Sequence, residues 1–215
     1  MPVETLWLRK GIVVGSALIY WAGVFIQIRH VRKQIGRSPN VRPRSVKEKL
    51  LWLGWLFVIL GWFGQPFLVG STDQAVFRLA SFLIHPVGLG LGILLVVGGY
   101  LGTLWCYSAL GTAWRMGVSR RERTDLVRHG PYRYVRHPIY LFQGVMLLGV
   151  ILLLPTACSI TLLAFHLACV ILKSLDEEAY LLGVHGSEYR DYLSKTGRFL
   201  PRMTKQTGTI RGFLF

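Results

Sequence analysis

"IYLFQGVMLLGVILLLPTACSITLLAFHLACVIL", residues 139–172, runs for 34 residues without an Asp, Glu, Lys or Arg. About 20 apolar residues in a helix cross a hydrocarbon core. The run is therefore too long for one crossing and long enough for two short ones. Pro155-Thr156 stands near its middle, where proline interrupts a helix. The segment predicts a helical hairpin, Ile139 to Leu154 and Thr156 to Leu172, that returns to the side of the membrane it left.

Three further blocks are free of charge: Gly11 to Ile28, Leu50 to Gly70 and Leu79 to Ala113. The chain of 215 residues is 52% hydrophobic and only 16% charged, with mean hydropathy +0.44. That composition, gathered into blocks of spanning length, predicts an all-α integral membrane protein with about five transmembrane helices. Arg9 and Lys10 precede a run of full membrane length that no small-residue cleavage site follows, so the first helix is expected to be an uncleaved anchor.

The basic residues set the expected orientation. Segment 29–49 carries Arg29, Arg32, Lys33, Arg37, Arg42, Arg44, Lys47 and Lys49. Segment 114–138 carries seven arginines, and the tail from Lys173 onward seven Lys and Arg. The connection 71–78 carries only Arg78, and the turn at Pro155 none. The positive-inside rule then puts both basic loops and the C-terminus in the cytoplasm and the N-terminus outside, with Arg9 and Lys10 a mild exception. The net charge of +15 sits in these juxtamembrane loops. Membrane topology and anionic headgroups account for it, and a nucleic-acid partner is not expected. Cys106, Cys158 and Cys169 lie in apolar segments without metal-ligand spacing and read as packing residues.

Two polar stretches flank the hairpin. "LVRHGPYRYVRHPIY", residues 126–140, holds three arginines, two histidines and three tyrosines. "KSLDEEAYLLGVHGSEYRDYLSKTGRFLP" covers residues 173–201. His137-Pro138 opens the first hairpin helix, with proline where its missing N–H costs little, and Lys173 is expected to close the second. The hairpin then brings the two stretches together, so that Arg136, His137 and Tyr140 face Lys173, Asp176, Glu177 and Glu178 across one pocket. Clustered charges of both signs suit a zwitterionic ligand, and Gly130-Pro131 makes a turn that lets backbone approach it. For Arg128, Arg133 and Tyr134 the competing reading is snorkelling to phosphates and an aromatic belt. A carboxylate pair against a membrane helix is expensive without a partner, which favours a site at Glu177-Glu178.

These motifs resemble the integral-membrane methyltransferases of the isoprenylcysteine carboxyl methyltransferase and phospholipid methyltransferase superfamily. The residues that carry the resemblance are Gly130, Tyr132, Arg136, His137, Pro138 and Tyr140, then the hairpin, Glu177-Glu178, Gly186, Glu188, Tyr189, Tyr192 and Pro201. It covers roughly residues 111–201. It implies a cytoplasmic cap that holds S-adenosyl-L-methionine without a Rossmann sheet, and no strand-then-G-x-G-x-x-G pattern is present. It implies cofactor contacts from Leu126 and Val127 through backbone groups, and from Gly130, Tyr132, Arg136, His137, Pro138, Tyr140, Glu177, Glu178 and Tyr189. Reaction roles fall to Glu178 and Lys173, and no metal is implied. The family commonly has Arg where this chain has Lys173, which bears on the acceptor more than on the cofactor. The acceptor is expected to be lipid-like or prenylated and to enter from the bilayer; carboxylate, amine and thiol all fit. The implied division is residues 1–110, three crossings, and residues 111–215, the methyltransferase core with its hairpin at 139–172. Two alternatives stand beside this reading. One is a membrane sterol-type reductase using NADPH, whose His-Pro motif is followed by Asn-Tyr where this chain has Ile139-Tyr140. The other is a non-catalytic membrane scaffold on the same fold.

Overall fold

The computed structural model describes residues 3–40, 43, 45–80, 84–115 and 125–202. Parts of the basic loops and of the tail, including residues 116–124 and 203–215, lie outside the described residues. The elements are helices: α1 (Val3–Ile35), α2 (Val46–Leu68), α3 (Pro86–Leu110), α4 (Pro138–Leu153), α5 (Ala157–His185) and α6 (Ser187–Lys195). No strand occurs among the described residues; Val135 and Gly197 form an isolated parallel bridge. Four stretches, Glu4–Ile35, Val46–Leu68, Pro86–Ala113 and Ala157–His185, are long and apolar enough to cross a membrane. The chain is a multi-pass membrane protein on that count. Helix α4, at 16 residues, is shorter.

Local chemistry explains the helix ends. Ser45 and Glu48 form a reciprocal capping box at the start of α2. Pro138 is the first residue of α4. At the far end of α4, Arg9 donates from Nη1 to the carbonyls of Leu152 (3.0 Å) and Leu153 (3.1 Å), and from Nη2 to that of His85 (3.0 Å). A cation on the last carbonyls of a helix satisfies otherwise orphaned acceptors. Arg9 is 1% exposed. Its exception to the charge pattern has a structural reason, because it is consumed inside the bundle.

One expectation is corrected. Helix α5 does not close at Lys173 but runs on to His185, where Gly186 at φ 55° ends it. The loss of apolar character after Leu172 marks the end of a lipid-facing surface, not of the helix. No proline stands between Lys173 and His185 and the one glycine, Gly183, comes after the glutamates, so Glu177 and Glu178 project from regular helix.

The hairpin packs its two arms against the N-terminal helices, α4 on α3 and α5 on α2. The α3–α4 contact is close because glycine forms it. A Cβ on Gly149 would lie 2.7 Å from the Gly92 carbonyl, and one on Gly99 would lie 2.7 Å from the Phe142 carbonyl. Small residues at such crossings let backbones approach within a bilayer. The buried core draws on α1 to α4, with Ala17, Tyr20, Val58, Trp62, Val96 and Met146 among its members, and Leu163 of α5 packs against it. Leu18, Ile19, Phe25, Ile26, Leu60 and Leu94 face outward, each at least half exposed, as a lipid-facing surface requires.

Candidate functional site

A cavity of about 740 Å³ opens between the two halves of the chain, a volume ordinary for a small-molecule site. One part is lined by Asp125, Leu126, Val127, Tyr132, Arg136, His137, Tyr140, Glu177, Tyr189 and Tyr192. The other is lined by helices α1, α2, α4 and α5 through Tyr20, Trp21, Val24, Val58, Ile59, Trp62, Gln143, Leu147 and His166. The first two helices, which carry no motif, thus supply much of the wall.

Of the residues expected at the site, Leu126, Val127, Tyr132, Arg136, His137, Tyr140, Glu177 and Tyr189 line the cavity. Gly130, Pro138, Lys173 and Glu178 are not among its lining residues. Gly130 has φ 59° and starts a 3-10 turn, Gly130–Arg133; a Cβ there would come within 3.0 Å of that of Ala109. Its place is to seat the turn on α3. Pro138 is buried at the start of α4. Lys173 is 7% exposed, within the wall of α5. Arg128 pairs with Glu188 at 2.8 Å, and Asp176 with Lys47 at 2.6 Å. Asp176 therefore faces away from Glu177 and Glu178, toward the start of α2.

The two glutamates have different surroundings. Glu177 accepts from the Tyr140 hydroxyl at 2.9 Å and stands 3.4 Å from His137 Nδ1. Glu178 accepts from Arg198 Nε (2.9 Å) and Nη2 (2.7 Å), from Arg136 Nε (3.0 Å), and meets His137 Nε2 at 3.2 Å. Glu177 thus faces the cavity, and Glu178 is saturated behind it by protein donors. His137 bridges both carboxylates. Burial alone would lower its pKa, but the bonds to Glu177 and Glu178 outweigh that and raise it above the ordinary imidazole value.

A C-terminal strap, residues 196–202, completes the cluster. Its backbone pairs with the loop before α4: Arg136 N donates to the Gly197 carbonyl (2.9 Å) and His137 N to that of Arg198 (3.1 Å). Arg136 Nη1 also donates to the Thr196 carbonyl. Gly197 is required there, because a Cβ would fall 1.8 Å from the Leu200 carbonyl oxygen. Helix α6 adds Tyr192, whose hydroxyl donates to the Tyr132 carbonyl at 2.6 Å. Burial pushes that phenol up to about 12, so it remains a donor. Tyr189 is 1% exposed and its hydroxyl has no partner among the described residues.

Arg198, Gly197, Gln143 and His166 were not singled out from sequence. The motif "GRFLP" (Gly197 to Pro201) was the available signal for the first two; the other two lie inside an apolar run where only tertiary structure gives them a role.

The comparisons with known proteins agree with the motifs. The model of the isoprenylcysteine carboxyl methyltransferase (ICMT) family matches residues 91–182. The chain is 34% identical over 119 residues to the nickel-cobalt-cadmium resistance protein NccN of Alcaligenes xylosoxydans xylosoxydans, covering 54% of this chain and 51% of that one. It is 28% identical over 125 residues to the cobalt-zinc-cadmium resistance protein CzcN of Cupriavidus metallidurans, covering 58% and 54%. It is 29% identical over 148 residues to the protein-S-isoprenylcysteine O-methyltransferase of Saccharomyces cerevisiae, covering 67% and 60%. The matched regions thus span about half to three-fifths of these relatives. The match at 91–182 takes in the cavity-lining loop, the hairpin and both glutamates, and over those residues the chain is similar to the isoprenylcysteine carboxyl methyltransferase family, the family its motifs resemble.

Proposed function

We propose that the chain is an S-adenosylmethionine-dependent methyltransferase acting on a membrane-dissolved, lipid-like acceptor. The carrying observation is the two-part cavity, charged and aromatic beside Glu177 and apolar among the helices. The residues present fit the cofactor. Glu177 and Asp125 can take up its ammonium or ribose hydroxyls, and Arg136 keeps guanidinium donors beyond the two it uses on Glu178 and Thr196. Tyr132 and Tyr140 offer aromatic faces, and the partnerless Tyr189 hydroxyl is a ready hydrogen-bonding group. When bound, the cofactor would supply an electrophilic methyl carbon for the acceptor's lone pair, with its sulfur as the leaving group that keeps the bonding electron pair. The protein's share is orientation, through the residues that line the cavity, and exclusion of water from the reacting atoms.

Purified protein should gain thermal stability from S-adenosylhomocysteine and none from NADPH. Ligand at about 100 times its Kd stabilises by about 2.7 kcal/mol, a readily measured shift in Tm. Stabilisation by NADPH instead would replace the methyltransferase with the reductase.

From the distribution of basic residues we place the active site and C-terminus in the cytoplasm, with α4 as a fifth crossing. A reporter fused after Phe215 should be active only in its cytoplasmic form. A signal from a reporter that works only on the opposite side of the membrane would overturn this orientation.

Lys173 lies on one stripe of α5 with His166 and Glu177, since offsets of seven and four residues stay within about 40° on a helix. Both neighbours line the cavity, and we place Lys173 next to the acceptor's path. Because the helix continues beyond it, a capping role at a helix end does not apply. Lys173→Met should lower turnover at least about tenfold, the equivalent of one ordinary hydrogen bond to a charged group, while S-adenosylhomocysteine affinity holds. Turnover equal to the unaltered protein's would confine Lys173 to packing.

A further inference from the structure

The helix-lined part of the cavity is not simply greasy. Tyr20, Gln143 and His166 line it together with Trp21 and Trp62. His166 is 3% exposed, and its Nε2 has no hydrogen-bond partner among the described residues; nor has Gln143 Oε1. Gln143 is held in place by donating from Nε2 to the Tyr20 hydroxyl at 2.5 Å. His166 lies eleven residues before Glu177 on α5, about 16 Å deeper along the helix. Buried polar groups without partners are rare and costly. Both residues line the cavity, and one ligand hydroxyl completes them. Its proton goes to His166 Nε2, the other ring nitrogen being engaged with the Tyr140 backbone. Its oxygen accepts from the Gln143 amide, turned over so that Oε1 takes the Tyr20 hydroxyl proton and Nε2 faces the ligand. Lys49, Arg115, Asp125, Arg136 and Glu177, the charged lining residues, come from the loops, the start of α2 and the polar last third of α5. Lys173 is not among the lining residues, and its backbone lies about 10 Å along the helix from that of His166. A carboxylate or ammonium held at His166 and Gln143 in the deep chamber would therefore meet no lining charge of opposite sign, and burying such a group unpaired is far costlier than burying a hydroxyl.

We infer that the deep chamber is a subsite for an uncharged hydroxyl, alcohol or phenol, on an apolar ligand, held by His166 and Gln143. This rests on the methyltransferase reading only in taking the ligand to be the acceptor. As the acceptor's anchor, the hydroxyl would make these two residues determinants of which membrane-dissolved molecule is methylated.

The test uses the full chain in phosphatidylcholine vesicles and three probes of equal chain length, 11-bromoundecan-1-ol, 11-bromoundecanoate and 1-bromoundecane. Bromine quenches indole on contact, and Trp21 and Trp62 line the chamber, so the saturable part of the quenching reports occupancy. The alcohol should bind more tightly than the alkane and the carboxylate. His166→Phe and Gln143→Leu should each weaken alcohol binding about fivefold, the effect of one neutral hydrogen bond, and leave alkane binding unchanged. His166→Gln, which restores a hydrogen-bonding group, should recover part of the preference and guards against misfolding of the phenylalanine variant. S-adenosylhomocysteine affinity should be the same in all three variants. Equal binding of alcohol and alkane, tighter binding of the carboxylate, or an alcohol preference that survives both variants would overturn the subsite. An alcohol preference that depends on His166, in a protein that does not bind S-adenosylhomocysteine, would uphold the subsite and remove the methyltransferase reading alone.

Discussion

Glu178→Gln loses about 3 kcal/mol of stability, the lower end of the cost of removing one partner from a buried ion pair. The substitution keeps the shape of the side chain and removes only its charge. In the native protein that charge answers Arg198 at 2.9 and 2.7 Å, Arg136 at 3.0 Å and His137 at 3.2 Å. The Glu178 and Arg136 side chains are 11% and 10% exposed, so water screens this pair little; Arg198, at 33%, keeps some access to solvent, which sets the lower end of the range. With glutamine the guanidinium groups and the imidazole face one another without a carboxylate between them. The strap at 196–202 should detach, and limited proteolysis in that segment should accompany the drop in Tm. Arg198→Met should produce a similar release, and the double variant should cost clearly less than the sum of the two, as expected for residues in one network. A Tm unchanged in Glu178→Gln would sink the strap assignment.

The same cluster makes a pH dependence. His137 has its pKa raised in the folded state. The stability it contributes is therefore fully present below the ordinary imidazole pKa and is lost as pH rises through the raised folded value. The gap between the unaltered protein and a His137→Gln variant should shrink across that window. A gap that widened with rising pH would contradict the charged bridge between Glu177 and Glu178.

The four long apolar helices were legible from charge-free run lengths, and the loop residues at the cavity from motif spacing. Two parts were not. Where α5 ends was misread because hydropathy reports the solvent of a helix and not its backbone; Lys173 to His185 keeps the helix without keeping the lipid. The difference between Glu177 and Glu178 was also hidden, since adjacent residues on a helix point about 100° apart and only the partners decide which faces the cavity. The partners of Glu178 include Arg198, twenty residues away on a strap whose glycine, Gly197, is needed for a contact no local pattern announces. The contribution of α1 and α2 was invisible for a similar reason: Tyr20, Trp62 and their neighbours look like any membrane-helix residues until α5 is laid beside them.

Glu177→Gln is expected to weaken S-adenosylhomocysteine binding by about 1.5–3 kcal/mol, the value of a hydrogen bond to a charged group, or roughly 10- to 150-fold in Kd. Glu177 is the carboxylate of the pair that lines the cavity. The Tyr140 hydroxyl takes one of its oxygens at 2.9 Å, and His137 Nδ1 approaches the other at 3.4 Å. A carboxylate has about four lone-pair sites, so capacity remains for a ligand's ammonium or hydroxyl groups. Tyr140 and His137 also fix the carboxylate's orientation in advance, which spares the ligand the entropic cost of ordering it. Glutamine offers one acceptor oxygen and an amide that repels a cation's donors, so the loss should appear mainly in affinity, with a fall in ligand-free Tm smaller than that of Glu178→Gln. The two glutamate variants thereby separate: Glu178→Gln should fail first in stability, and Glu177→Gln in binding. Calorimetric titration of both with S-adenosylhomocysteine reads the difference. Full affinity in a folded Glu177→Gln protein, with affinity lost in a Glu178→Gln protein of normal Tm, would reverse the two roles and make Glu178 the residue that meets the cofactor.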